Sequence, residues 1–409
     1  MATEARRRLL FLLPFPPHAR GRHGGSRAIA ELLGRIAPHH AVAVLYLRDV
    51  NEAPIDPDLA AICEQVHAVP RPPARRGTIV QRLIRRARFV AALLRGTPIW
   101  AQVVAVPEFA TSAERLARDW QPDLVELDYQ VMGRYLGALD ACSSPRLLVV
   151  YEPGEDGAGR AWEDPSDLLR RLDRRAWSIF ERWVLQRVQC VVTLTEADRT
   201  SIERRGVDVP VETIGLGVRI PESAADPLGY APPTVLFVGN YRHVPNRDAA
   251  FRLALNIWPL VRSRHPDAVL SLVGDNPPRE LVALERAGIE VPGAVPQIEP
   301  YLDRAALCVA PLREGGGMRV KVLEALAAGK AVVASPLATA GLDVEHERQV
   351  LLATDDDEFA EAICRLLDDP PLRISLAAAA RKWAVENVGI ERTAAAFEAL
   401  YERLIREGS

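Results

Sequence analysis

Residues 311–335 read PLREGGGMRVKVLEALAAGKAVVAS. An apolar run ends at Pro311, and three consecutive glycines follow at Gly315, Gly316 and Gly317. From Arg319 to Ala328 the apolar spacing is helical, Gly329 stands where a helix stops, and Ala331–Ser335 reads as another strand. Glycines adopt backbone conformations closed to other residues and let a ligand approach the main chain. A helix N-terminus offers unpaired N–H groups and partial positive charge. Strand, glycines and helix in that order make an anion site. Arg319 and Lys321 fall in the first turn, where a cation opposes the helix dipole, so a bound anion is the expected compensation. Lys321 and Glu324, three apart, share one face, while Val320, Leu323 and Ala327 are expected on the buried one. The plain alternative is a glycine turn before a helix with two surface cations.

On either side the sequence alternates short apolar runs with helical periods, which predicts α/β architecture with parallel, doubly wound sheets. Leu9–Leu13, Ala41–Leu47, Leu124–Leu127, Leu147–Tyr151 and Cys190–Leu194 read as strands, with a glycine loop at 21–25 after the first. Glycines and prolines crowd 214–233, which reads as a linker. The alternation then resumes with the strand Thr234–Val238 ending at Gly239-Asn240, the helix Asp248–Val261, the strand Ala268–Val273 ending at Gly274-Asp275, and the strand Leu307–Ala310. The expected organisation is a first domain over 1–214, a linker over 215–233, a second domain over 234–385, and a terminal helix over 386–409 returning to the first domain.

Composition narrows the function classes. The 409 residues carry a net charge of −3 and are 26% charged, with the signs nearly balanced, so the chain is neither a basic nucleic-acid binder nor an acidic tail. No apolar run approaches the roughly 20 residues that span a bilayer. Arg6-Arg7-Arg8 before Leu9–Leu13 resembles a signal peptide only briefly, because Pro14, Pro16 and Pro17 cut it short. The five cysteines form no CxxC pair, so neither a disulfide framework nor a cysteine zinc site is supported, and a cytoplasmic location is expected. Of the 51 Lys and Arg residues only Lys321, Lys330 and Lys382 are lysines. Retention of Lys321 in so arginine-rich a chain suggests a need for a compact ammonium. Two stretches, 71–95 and 170–187, concentrate arginine around helical apolar spacing. They are either solvated helix faces or a surface for anionic lipid headgroups or a polyanionic acceptor.

The 311–335 segment resembles the donor-binding motif of family 4 retaining glycosyltransferases, in a branch with a GGG-x-R-x-K loop. FVGNYRHVPNRDAA, SLVGDNPP and PGAVPQIEPYLDRAALCVAPL are similar to that family's successive strand ends, and the glycine loop up to Gly25 to its first-domain loop. The resemblance implies the GT-B fold, two facing Rossmann-like domains, and transfer of a sugar from a nucleotide-diphosphate sugar to an acceptor hydroxyl. The acceptor would be a glycan, a lipid-linked sugar or a small molecule, and the first-domain arginine helices themselves favour a lipid-linked or otherwise anionic one, with peripheral contact at the inner membrane face. It further implies that Glu324 binds the ribose hydroxyls, that Gly315, Gly316, Gly317, Met318 and Arg319 meet the diphosphate with Lys321, and that Gly24 and Gly25 approach it from the first domain. Gly239 and Asn240 would lie at the donor, and residues 293–298 would border the base. The first glutamate of the family's Glu-x7-Glu motif is replaced by Gly316, and the usual lysine after Gly239 is absent; Arg319 and Lys321 would compensate. No cofactor and no metal is expected, because protein cations would offset the leaving-group charge.

Other signals are weaker. Asp355-Asp356-Asp357 mimics a metal motif but stands where a helix cap is expected. His18 and His23 flank the first glycine loop. Glu152 follows a strand at the end where such sheets bind ligands, which makes it a candidate for orienting the acceptor. A sugar-nucleotide epimerase or a non-catalytic nucleotide-sugar binder with this fold are the alternatives.

Overall fold

A computed structural model describes residues 6–19, 21, 24–50, 52–72, 79–151, 167–286, 288–315 and 320–408. The chain divides into two compact units, Met1–Gly21 with Gly25–Gly215 and Thr393–Ser409, and Arg22–Gly24 with Leu216–Arg392. The first holds β1 (Arg8–Leu13), β2 (Ala41–Arg48), β3 (Gln65–Pro70), β4 (Leu124–Asp128), β5 (Arg146–Val150), β6 (Cys190–Thr193) and β7 (Val211–Thr213). They form one parallel sheet in the order β3-β2-β1-β4-β5-β6-β7. The second holds β8 (Thr234–Val238), β9 (Val269–Val273), β10 (Ile289–Gly293), β11 (Ala305–Ala310), β12 (Val332–Ala334) and β13 (Leu351–Leu352), parallel in the order β10-β9-β8-β11-β12-β13. Helices flank both sheets, so inner strands such as Leu9–Leu13 and Ala305–Ala310 are buried along their length and must be apolar nearly throughout.

Both sheets reverse their winding order at one place, between β1 and β4 and between β8 and β11. The chain leaving the carboxyl ends of those strands diverges there to opposite sides, which opens the crevice where such sheets bind ligands. Pro14–Gly25 and Tyr129 follow β1 and β4; Gly239 and Pro311–Gly315 follow β8 and β11.

The nine inner strands follow the sequence expectation to within two residues at either end. The four edge strands β3, β7, β10 and β13 do not appear in it. They are short or half-buried and carry Gln65, His67, Glu212 and Glu290, so they lack the apolar run that marks an inner strand. The helix expected over Asp248–Val261 runs further, from Val244 to Arg264, with a π turn over Leu253–Ile257. Pro259 has no N–H to give back to the preceding turn, and the wider turn accommodates it.

Residues 216–233, read as a linker, are strapped along the second unit. Ala225 N–H donates to Ala328 O, Tyr230 N–H to Arg304 O, and Arg381 Nη2 to Pro221 O. The fully buried Lys330 donates Nζ to Asp226 O, to Asp303 O and, at 2.6 Å, to Ala305 O. Burial lowers its pKa. The last helix, Ile390–Gly408, binds the first unit from Thr393 onward. Arg7 grips Glu402 with two 2.9 Å bonds, and Tyr401 Oη donates to Glu126 Oε2 at 2.6 Å. None of the described helices is long and apolar enough to cross a membrane.

Candidate active site

In the second unit the residues leaving β11 are held one after another. Pro311 O accepts from Arg252 Nη1 at 3.1 Å, and Leu312 O from Ser335 Oγ at 2.7 Å. Arg313 grips Asp248 with bonds of 2.6 and 3.0 Å. Arg252 is itself buried, bonded to Asp356 Oδ1 at 2.6 Å and Thr354 O at 2.9 Å, and lies over the Phe359 ring. Burial of the Asp356 carboxyl raises its pKa, and the bonds from Arg252 and Asn256 more than offset this, leaving it lowered. The glycine run therefore starts from a fixed frame. Gly315 has φ +110°, a conformation that side chains resist. Gly316, Gly317, Met318 and Arg319 lie outside the described residues.

The helix resumes at Val320–Ala327. Leu323 and Ala327 are buried as expected, but so are Val322, Ala325 and Leu326, whereas Val320 is only half-buried. The helix is sandwiched between its sheet and the helix Pro370–Asn387, so its apolar face is broader than the spacing suggested. Lys321 and Glu324 remain half-exposed. Lys321 Nζ sits 2.5 Å from Asn246 Oδ1 and 4.5 Å from the centre of the Phe237 ring. Asn246 Nδ2 in turn donates to Asn240 O at 2.9 Å. The lysine is thereby fixed over the carboxyl end of β8, beside Gly239 and Asn240. Gly239 N–H donates to Val273 O, and a Cβ on Gly274 would stand 1.7 Å from Gly239 O. Only glycine permits that approach between the ends of β8 and β9. Lys321, Glu324, Ile298, Val238 and Ala310 line one narrow hollow. The structure thus brings together Gly239, Asn240, Lys321, Glu324 and the 293–298 segment.

Gly24 and Gly25 open the helix Gly24–Ile36, with the first unit taking up the chain from Gly25. A Cβ on Gly25 would stand 2.2 Å from Tyr129 Oη. Ser26 Oγ donates to Pro16 O at 2.7 Å and ties the glycine loop to the end of β1. Tyr129, directly after β4, has φ +70° and ψ 138°, rare for a bulky residue and a mark of a constrained site. Its ring stacks on Tyr151 at 4.4 Å and meets Phe15 and Trp100 edge-on. Tyr151 Oη donates to Asp128 Oδ1 at 2.8 Å. Asp128 and Glu126 are both buried on β4, and Asp128 Oδ2 and Glu126 Oε1 have no hydrogen-bond partner among the described residues. Burial pushes the Asp128 carboxyl up to about 7, and burial, then the charge of Asp128, raises Glu126 well above the usual range. Glu152 and His23 lie outside the described residues; His18 Nδ1 stands 3.7 Å from Asp56 Oδ2. Asp355 caps the helix Asp356–Asp368, accepting from Glu358 N–H at 2.8 Å.

The sequence reading missed Arg252, Ser335, Tyr129 and Asp128. Arg252 and Ser335 carry no local signal, since their partners are main-chain groups distant in sequence. Tyr129 and Asp128 were accessible through the rule that ligands gather at the carboxyl ends of strands flanking the winding reversal.

Known families match both units. The model described as "Glycosyl transferase 4-like domain" covers residues 23–217, and that described as "Glycosyl transferases group 1" covers residues 232–369. The chain belongs to the group 1 glycosyltransferases. This group 1 glycosyltransferase is 29% identical over 298 residues to the lipopolysaccharide core biosynthesis mannosyltransferase LpcC of Rhizobium leguminosarum bv. viciae, covering 64% of this chain and 83% of that protein. It is 27% identical over 331 residues to the 2-deoxystreptamine glucosyltransferase of Streptomyces kanamyceticus, covering 72% and 81%. The crystal structure of HepE from Anabaena, in complex with UDP and glucose, superposes with a TM-score of 0.69 at 13% identity over 97% of this chain and 100% of that one. The fold is GT-B.

Proposed function

We propose that this glycosyltransferase moves a sugar from a nucleotide-diphosphate sugar to an acceptor hydroxyl with retention of anomeric configuration, in glycan, glycolipid or secondary-metabolite biosynthesis. The observation that carries this is the fixing of Lys321 by Asn246 and Phe237 at the winding reversal of the second sheet, beside a glycine run launched from anchored residues. Breaking a sugar–diphosphate bond releases a dianionic leaving group, and preorganised cations and main-chain donors stabilise it as it forms. In this reading Lys321 and Arg319 supply the charge, and Gly315, Gly316, Gly317 and Met318 offer their main chain to the diphosphate, as do Gly24 and Gly25 of the earlier glycine loop. Glu324 accepts from the ribose hydroxyls, with the base toward Ile298. The acceptor hydroxyl attacks from the face the phosphate leaves, and a phosphate oxygen takes its proton, so no separate nucleophile is required. Neither is a metal. Glu152 orients the acceptor.

The donor assignment is supported by HepE, whose structure holds UDP and glucose. LpcC acts in lipopolysaccharide core synthesis, which supports an acceptor carried on a lipid and met by a cytoplasmic enzyme at a membrane surface. Melting the protein with UDP, GDP, ADP and their sugars identifies the donor, because a true ligand raises apparent stability by mass action. With that donor, Lys321→Ala and Glu324→Ala should each cut transfer about 100-fold or more with the fold intact. Wild-type rates in both would refute the assignment.

A further inference from the structure

We propose that the first unit carries a dedicated docking face for a bilayer containing anionic lipid, built on the helices Ile79–Leu94 and Asp167–Leu185. This deepens the reading of a lipid-carried acceptor and rests on it for its purpose, although the binding itself needs no turnover. Between Leu168 and Leu185 the sequence contains five arginines and two acids, Asp173 and Glu181. Both acids are buried and used inside the protein. Asp173 Oδ1 accepts from Ile99 N–H at 2.8 Å, and Glu181 Oε2 lies 2.8 Å from Arg205 Nε. Over 168–185 the charge shown to water is therefore all positive, although the chain as a whole is slightly acidic.

The exposed residues have a pattern. Leu168, Arg171, Arg175, Ile179 and Arg182 are spaced by three and four, so they form one stripe about 20 Å long. Arg171, Arg175 and Arg182 form an ion pair with none of the described residues. Leu168 is 68% exposed and Ile179 45%, so neither is covered by the described residues. At the end of the stripe Arg187 lies 4.6 Å over the half-buried Trp183 ring. The helix Ile79–Leu94 extends the face. It packs through Phe89 and Leu93 against Leu169, Leu172 and Ala176, and a Cβ on Gly96 would stand 2.5 Å from Ile179. That contact sets Leu94, 67% exposed, next to the stripe, together with the exposed Arg95. The span 79–96 contains no acid at all.

Exposed leucine and isoleucine interleaved with unpaired arginine fit the headgroup zone, where the side chains insert among acyl chains while the guanidinium groups meet phosphate. A soluble polyanion would use the arginines and leave the leucines in water.

The test sediments the full chain with vesicles of phosphatidylcholine alone and of phosphatidylcholine mixed with phosphatidylglycerol, with soluble heparin as the competing polyanion. The chain should bind the mixed vesicles and not the zwitterionic ones. Arg171→Glu/Arg175→Glu/Arg182→Glu should weaken binding at least about 100-fold, at about fivefold per basic residue. Leu94→Ser/Leu168→Ser should weaken it about tenfold or more and leave heparin binding unchanged. Failure to bind mixed vesicles, or binding that survives the charge reversal, overturns the proposal. So does wild-type vesicle binding in the leucine variant, which would assign the arginines to a polyanion. Nucleotide-induced melting shifts measured on the same samples report the transferase reading separately and confirm that each variant is folded.

Discussion

Replacing Asp128 by asparagine should stabilise the first unit at mildly alkaline pH and change little in acid. Its carboxyl is buried, accepts one hydrogen bond from Tyr151 and keeps its proton to about pH 7, against 3.8 when solvated. Between those values the folded chain holds a proton that the unfolded chain has released. Unfolding therefore releases a proton, and stability falls as pH rises through the window, by about 1.4 kcal/mol per pH unit. Three units of difference give about 4 kcal/mol lost between about pH 4 and pH 7. An amide is neutral throughout, and its oxygen can still accept from Tyr151 Oη. Urea unfolding followed by tryptophan fluorescence suits the measurement, because five of the seven tryptophans belong to the first unit. Wild type and Asp128→Asn should agree near pH 4 and diverge steadily above it, with the variant the more stable. Removing Asp128 also relieves Glu126 of a like charge, so the divergence should not fall short of the single-site figure. Parallel curves from pH 4 to pH 8 would refute the reasoning and show a carboxylate ionised and satisfied in place.

Three further outcomes follow from the second unit. Arg252→Ala removes the donor from Pro311 O and Thr354 O and the partner from Asp356, and should cost about 3–5 kcal/mol in urea unfolding; Arg252→Lys, with charge but no fork, should recover only part of it. Lys330→Met removes the lysine donor from three carbonyls beneath the 216–233 strap, of which Asp226 O keeps the Gly229 N–H, and calorimetry should show a loss of about 2–3 kcal/mol in the second unit. Gly274→Ala drives a Cβ into Gly239 O, so it should abolish the nucleotide-induced melting shift before it abolishes folding, because the displaced strand end carries Gly239 and Asn240.

The fold was legible wherever burial on both faces of a sheet forces a continuous apolar run, as at Leu9–Leu13, Thr234–Val238 and Ala305–Ala310. It was not legible at the margins. Val211–Thr213 and Leu351–Leu352 are too short to show a period, and Gln65–Pro70 alternates polar and apolar residues because only one of its edges is paired. The site divides in the same way. Gly315, Lys321 and Glu324 were singled out as candidates because glycines before a helix and a cation at its start are local patterns. Asn246 and Phe237, which fix the lysine, stand 75 and 84 positions away and are joined to it only by folding. Asp128 looked like the polar end of a strand, and nothing in its neighbours foretold Tyr151 as its partner.

The scarcity of lysine has a practical consequence. The three side-chain amines occupy three distinct settings: Lys382 at 77% exposure, Lys321 half-covered in the hollow, and Lys330 sealed beneath main-chain carbonyls. Acylating reagents should tag them in that order. A single chain thus contains a reporter for solvent, one for occupancy of the hollow beside Lys321 and one for integrity of the strap, readable together in one digest by mass spectrometry.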